Sequence, residues 1–232
     1  MALNRSSDAA WLGLDLGTQS VRAMIISSSG ETLATGSHKL TSRREGSRHE
    51  QDPEEWWRAI SAACRSAFVA LPAAVTIQGL AVDGTSGTIL LMDGEGRSLT
   101  PGLMYDDTRA IEETKRANEV GATVWSTLGY NRMQPSWGLP KLLWLLVQNS
   151  GWAAGTRLAH QTDFIYRRLI GTDVATDTSN ALKTGVDLIN ECWPREMFAA
   201  LGVPDEILPA VVRAGTCLGV VSAEAEIGRA HV

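Results

Sequence analysis

The stretch Asp15-Leu16-Gly17-Thr18-Gln19-Ser20-Val21-Arg22 brings a carboxylate, a tight turn and two hydroxyls together within a few residues. It lies between two apolar runs, Trp11 to Leu14 and Val21 to Ile26, as a strand-turn-strand unit would if its turn had to hold phosphate. Gly17 lets the backbone approach a ligand closely or take positive φ. Successive N–H groups around such a turn form a concavity that binds anions. Asp15, at the mouth, suits Mg2+, which keeps several waters and is commonly shared between one or two carboxylates and substrate phosphates. The plainer alternative is a hairpin turn in which the Asp is a turn or capping residue.

Two further groups carry chemistry. Asp83-Gly84-Thr85-Ser86-Gly87-Thr88 follows the apolar strand Ile77 to Val82. Ligands of open α/β sheets gather beyond the carboxyl ends of strands, so this segment is a site candidate, with a flexible turn as the alternative. Tyr105-Asp106-Asp107-Thr108-Arg109 opens a polar helix that runs to about Val120. One of its carboxylates is expected to cap that helix. The other, with Arg109, could hold a polyhydroxy ligand, because carboxylate oxygens accept the hydrogen bonds that neighbouring hydroxyls offer.

These groups need elements to position them. Thr32 to Leu40 alternates as a third antiparallel strand, so the chain begins as a meander. Thr41 to Glu50 is polar, with Arg43, Arg44 and Arg48, and reads as a solvated loop. Asp52-Pro53-Glu54-Glu55 starts a helix with a capping carboxylate, a first-turn Pro and a Glu that completes a capping box. Trp56, Ile60, Ala63, Ala67 and Leu71 recur at helical spacing, widened by Trp57, Cys64 and Phe68, until Pro72 closes the helix. Both tryptophans read as core. Ile77 to Val82 then arrives as a strand after a helix, as in a crossover unit. Ile89 to Met92 and Leu99 to Tyr105 form a hairpin. Pro140 opens a helix through Gln148 that is apolar nearly all round and therefore buried. Arg157 to His160 is a short strand, Thr162 and Asp163 cap a helix ending at Gly171, and Pro194 to Leu201 is a last helix with Gly202 at its end. The whole reads as one α/β domain.

With 232 residues, 44% hydrophobic and 20% charged, the composition is that of an ordinary globular protein. A net charge of -5 gives no basic footprint, so no nucleic acid partner is expected, and an anionic ligand needs backbone amides or a metal. Cys64, Cys192 and Cys217 support neither a disulfide framework nor a zinc site and read as reduced thiols packed as small hydrophobes. His38, His49, His160 and His231 have no metal-ligand spacing. The N-terminus has no signal-peptide h-region, and the longest apolar run, Leu142 to Val147, is too short for a bilayer. A cytoplasmic protein with no membrane partner is the expectation.

Four segments, in order, resemble the N-terminal domain of the FGGY family of carbohydrate kinases. Asp15 to Arg22 is similar to the family's first phosphate motif, and Glu50-Gln51-Asp52-Pro53-Glu54-Glu55-Trp56-Trp57 to its Glu-Gln-x-Pro…Trp-Trp signature. Met104-Tyr105-Asp106-Asp107-Thr108-Arg109-Ala110 resembles its Trp-x-Asp-x-Arg segment, with Tyr in place of Trp. Thr176-Asp177-Thr178-Ser179-Asn180-Ala181, preceded by Asp163 and Gly171 and followed by Trp193, resembles the end of the domain. A heat-shock or filament ATPase would share the first motif only.

The resemblance implies an α/β, actin-like ATPase (ribonuclease H-like) domain: a mixed sheet with an initial antiparallel meander and flanking helices. ATP and sugar would lie in a cleft between two such domains. The implied reaction is phosphoryl transfer from ATP, with Mg2+, to a sugar hydroxyl, which is mostly positioning and charge stabilisation. By the resemblance Asp15 would organise the metal and act in catalysis, and Gly17, Thr18, Gln19, Ser20 and Arg22 would bind the cofactor's phosphates. Ser86, Gly87 and Asp107 would line the sugar site. Bacterial xylulose kinases resembling this chain carry Gln-Met-His where Thr85-Ser86-Gly87 stands, whereas the Asp83-Gly84-Thr85-Ser86-Gly87-Thr88 version looks like the ribulose kinase-like branch of plants and cyanobacteria, so D-ribulose is the first expected acceptor and D-xylulose the second. The family's general base lies in a second domain that this chain does not reach, so the chain alone is expected to be inactive. A non-catalytic sugar-binding module is the alternative. The resemblance leaves room for a homodimer of the full-length protein. Residues 1–10 are expected to be a disordered start, 11–222 the domain, and 223–232 a non-native tail, because Glu226 to Val232 reads like a translated sequencing adapter.

Overall fold

The structure, a computed structural model, describes residues 9–72, 75–148, 152, 154–225 and 227. Alternating side chains make β1 (Ala9–Leu16) and β2 (Ser20–Ser27) antiparallel strands that each bury every second residue. β3 (Thr32–Lys39) extends the meander. Instead of a loop, Thr41 to Glu50 folds as a hairpin of β4 (Arg43–Glu45) and β5 (Arg48–Gln51). Its polar composition hid this, because the hairpin lies at a sheet edge: His49 and Gln51 turn inward while the arginines stay exposed.

Helix α1 (Pro53–Ala70) starts as its sequence dictates, with the Asp52 carboxylate accepting from Glu54 N at 2.9 Å. It lies on the apolar face of the meander, where Leu12, Leu14, Leu16, Val21, Ala23 and Ile25 meet Ile60, Ala63, Cys64 and Ala67. Gly36 makes that approach possible, since a Cβ there would fall on the Ala63 carbonyl. Trp56 is fully buried and Trp57 half-buried against the same core. β6 (Thr76–Gly84) then returns parallel to β1, giving a mixed sheet of order β3-β2-β1-β6.

β7 (Ile89–Met92) and β8 (Gly102–Leu103) pair as the expected hairpin. They belong to a second, five-stranded sheet of order β4-β5-β8-β7-β9, which β9 (Arg157–His160) closes. All four residues of β7 are buried: Leu90 and Met92 join the first core, Ile89 and Leu91 a second. The second core is built with α2 (Ile111–Val120), α3 (Ala122–Thr127) and α4 (Gly138–Gln148). α5 (Gln161–Ile170) returns Phe164, Ile165 and Leu169 to the first. β10 (Thr176–Asp177), α6 (Thr178–Ala181), α7 (Arg195–Ala200) and β11 (Val211–Val212) complete the described chain, with β10 parallel to β11.

Several local expectations are corrected. α2 begins after Ala110 with no side-chain cap, because the carboxylates expected to cap it are bonded elsewhere. α5 starts earlier, after His160, and Asp163 accepts from His160 N at 2.9 Å. α4 is buried over most of its length as expected, but it starts at Gly138, its last turn is not covered, with Val147 63% exposed, and its buried residues include Lys141. Only Cys64 packs as a small hydrophobe; Cys192 and Cys217 are exposed. The disordered start and the foreign tail fall largely on residues 1–8, 226 and 228–232, outside the described residues. β1 begins at Ala9, and Ile227 is buried in the first core. Among the described residues no helix is long and apolar enough to cross a membrane.

Candidate functional site

β1 and β6 are parallel neighbours with Asp15 opposite Asp83 and Leu16 opposite Gly84. The turns that follow them, Gly17 to Gln19 and Thr85 to Thr88, therefore leave the sheet side by side at its carboxyl end, where ligands of such sheets gather. In the first turn Gly17 N donates to Ser20 O at 3.2 Å, and an added Cβ would come within 3.2 Å of the same oxygen. Gly17 is absent from the positive-φ glycines, so its use is the close approach. Asp15 and Arg22 face each other across β1 and β2 at 3.5 Å with side chains 50% and 69% exposed.

Gln51 fastens this turn. Its Nε2 donates to Thr18 O at 2.6 Å and to Ser42 Oγ at 2.8 Å, while its Oε1 accepts from Trp56 Nε1 at 2.7 Å. The preceding residue, Glu50, meets Arg109 Nη1 at 2.7 Å. Two consecutive residues of β5 thus hold the Gly17–Gln19 turn and the Tyr105–Arg109 segment. The sequence marked this Glu-Gln pair without assigning it work; the period-two alternation of a strand was the signal.

Asp107 has no exposed surface. It accepts from His49 N at 2.7 Å and from Arg109 Nε and Nη2 at 3.0 and 2.6 Å. Arg109 also lies 4.8 Å over the Trp144 ring. Burial works to lower the Arg109 pKa, but its bonds to Asp107 and Glu50 outweigh that and raise it. Asp107 therefore stands behind the wall in this structure, holding Arg109. The neighbouring Asp106, its side chain 30% exposed, is bonded to His49 Nδ1 and, at 2.9 Å, to Arg44. Burial pushes its carboxyl up, yet those two partners prevail and hold it below the usual range.

The second turn closes with Thr88 N donating to Thr85 O at 3.1 Å, and Gly87 has φ 90°, the conformation a type II turn needs at its third residue. Gln161 Oε1 accepts from Thr85 N at 2.8 Å. The carbonyls of Ser86 and Gly87 accept from Lys183 at 3.1 Å and Lys141 at 2.6 Å. Among the described residues the amides of Ser86 and Gly87 and the Ser86 hydroxyl have no partner. Buried nearby, Thr88 Oγ1, Gln161 Nε2 and Thr162 Oγ1 are also unpaired. Sequence reasoning missed both lysines, which carry no motif.

The donor set can be tested against a magnesium ion. Among the described residues no cluster of three or more His, Cys, Asp or Glu side chains could hold a metal. Asp15 and Asp83, paired across parallel strands and open to solvent, are two carboxylates of the kind that suffice for a hard cation completed by water and phosphate. The residues fit the group.

Residues 10–229 match the model of the FGGY family of carbohydrate kinases, N-terminal domain. The xylulose kinase of Klebsiella pneumoniae is 30% identical over 212 residues, covering 90% of this chain and 43% of that protein. That of Streptomyces rubiginosus is 29% identical over 219 residues, with 90% and 44% covered. Among solved structures, the xyloylose kinase of Brucella ovis superposes with a TM-score of 0.85 at 26% identity, over 93% of this chain and 45% of that one. The xylulose kinase of Rhodospirillum rubrum, at 24% identity and TM-score 0.84, shows the same fold over 92% of this chain and 45% of its own. The chain spans less than half the length of these relatives, and its fold is the actin-like ATPase fold they share. With the family model covering nearly all of it, this chain belongs to the FGGY family of carbohydrate kinases, whose N-terminal domain it carries.

Proposed function

We propose that this chain supplies the sugar wall and one phosphate clamp of an ATP-dependent pentulose kinase that transfers the γ-phosphoryl group to a hydroxyl of D-ribulose, with D-xylulose as second acceptor. The observation that carries the reading is the shared end of β1 and β6, where the phosphate hairpin and the Ser86–Gly87 turn emerge together. Asp15 with Asp83 would hold Mg2+, which when bound neutralises charge on the transferred group. Thr18 and Ser20 offer hydroxyls and the Thr18–Gln19 turn its amides to the phosphates, Gly17 lets the backbone come close, and Arg22 offers a cation released from Asp15. Ser86, with its free hydroxyl and the free amides of Ser86 and Gly87, suits a polyol. None of the candidate carboxylates is assigned as general base. That group would come from a second half of the active site, so the chain alone is expected to bind sugar without turnover.

The ribulose preference rests on the likeness of Asp83 to Thr88 to the ribulose kinase-like branch of the family, and the relatives named xylulose kinase make D-xylulose the competitor. A coupled ADP assay of the longer protein with pentuloses, hexuloses, glycerol and polyols tests both levels. The highest kcat/KM is expected with D-ribulose. A tenfold preference for D-xylulose reverses the order of acceptors, and sugar binding without any turnover favours a non-catalytic sugar-binding module.

A further inference from the structure

Lys141 lies on α4 with no exposed surface, and among the described residues no carboxylate pairs with it. Its ammonium donates instead to three backbone carbonyls: Gly87 at 2.6 Å, Met104 at 2.8 Å and Leu103 at 3.4 Å. An ammonium has three N–H donors, and here each has an acceptor. Burying such a charge is costly, and a leucine or methionine would fill the same apolar face, so packing does not explain the lysine. The acceptors do. They belong to the Thr85–Thr88 turn and to the strand end that leads into Tyr105–Arg109, the two segments that border the site.

Lys183, on the 3₁₀ turn Leu182–Thr184, takes the adjacent carbonyl of Ser86 at 3.1 Å. Its stem occupies the space beside Gly87, where an added Cβ would meet Lys183 Cδ at 2.9 Å. The 3₁₀ turn is itself seated on α4: a Cβ on Gly138 would fall on Thr184 Oγ1, which also meets His160 Nε2 at 2.9 Å. Two consecutive carbonyls of the sugar turn are thus each held by a lysine.

We propose that Lys141, assisted by Lys183, is the positioning residue of the sugar site: it pins the Ser86–Gly87 turn to Leu103 and Met104 through their carbonyls, leaving the turn's amides and the Ser86 hydroxyl for the acceptor sugar. This rests on the sugar reading of that turn. The charged groups around Lys141 are Asp106, Asp107 and Arg109 of one segment and Lys183 of another; β7 and β8 contribute none. Burial outweighs the carboxylates and pushes Lys141 from 10.5 down to about 7. A neutral lysine has two N–H donors and must release one of the three carbonyls, so the grip loosens as pH rises through that value.

Calorimetric titration of the full chain with D-ribulose and D-xylulose between pH 6 and 9 tests this, using wild type, Lys141→Met, Lys183→Met and, as a control in the same helix, Leu142→Ala. Lys141→Met is expected to lose tenfold or more in affinity at pH 6, Lys183→Met less, and Leu142→Ala nothing. Wild-type affinity should fall above pH 7 and that of Lys141→Met should stay flat. Wild-type affinity in Lys141→Met at pH 6, or a loss matched by Leu142→Ala, overturns the proposal. If the wild type binds neither sugar, the kinase reading fails there, and the latch is decided without ligand. The protection factor of the Thr88 amide, which closes the turn, should then drop at least tenfold in Lys141→Met; an unchanged factor overturns it. Should Lys141→Met not fold, Lys183→Met and the wild-type Thr88 protection above pH 7 decide the latch in the same way.

Discussion

At the β1–β2 hairpin Asp15 and Arg22 meet at 3.5 Å with half or more of each side chain in water. Behind the proposed sugar wall Asp107 and Glu50 close on Arg109 at 2.6 and 2.7 Å, and Asp107 and Lys141 are wholly out of solvent. An exposed pair contributes about 0–1 kcal/mol and re-pairs at little cost when a charged ligand arrives. Breaking a buried pair by removing one partner costs about 3–5 kcal/mol, so the wall keeps its shape. The proposed ligands call for this division. Phosphates and a metal bring charge that must be re-partnered, whereas a neutral polyol is recognised by hydrogen-bonding groups already in place.

The largest effect is expected at Asp107. Asp107→Asn leaves Arg109 buried with Glu50 alone, and a loss of about 3 kcal/mol in urea unfolding is expected; a loss below about 1 kcal/mol would mean the pair does not set the wall. The pH dependence of stability comes next. The folded value of Lys141, about 7, lies below its ordinary 10.5, so the unfolded chain binds more protons between the two. Stability should rise with pH across that window, because the cost of burying the ammonium is complete below it and absent above it. Urea midpoints should therefore climb from pH 7 to 9 in the wild type, and the climb should flatten in Lys141→Met.

Gln51→Ala sits between the two regions. It strands Trp56 Nε1, which is buried, and frees Thr18 O, so a loss of about 1–3 kcal/mol is expected by the same measurement. Asp15→Asn should change stability by less than about 1 kcal/mol, the smallest effect of the set. In a protein that joins this domain to the second half proposed above, the same change should remove most turnover while sparing sugar binding. ATP consumption with ribulose at near wild-type rate would sink the role given to Asp15.

What was legible in the sequence was short-range. The meander, the Asp52-Pro53 helix start, the crossover to β6 and the two turns each follow from spacing within a few residues. The β4–β5 hairpin escaped because an edge hairpin needs backbone partners more than apolar side chains. Lys141 escaped because its acceptors lie 54, 38 and 37 residues away, so nothing near it in the chain marks it as buried. Asp106 and Asp107 are the same residue type side by side. Which one turns inward is decided partly by the amide of His49, 58 residues earlier.

β7 has a further consequence. Its four buried residues point alternately into the two cores, and its first residue follows directly on the sugar turn. Neither core can lose its packing without stripping one side of that strand, so the two are expected to melt in a single cooperative transition. β7 then belongs to the last-opening unit of the molecule rather than to a frayed periphery, and its amides should exchange with solvent only as fast as the whole protein unfolds, while the Thr85–Thr88 turn at its head opens locally.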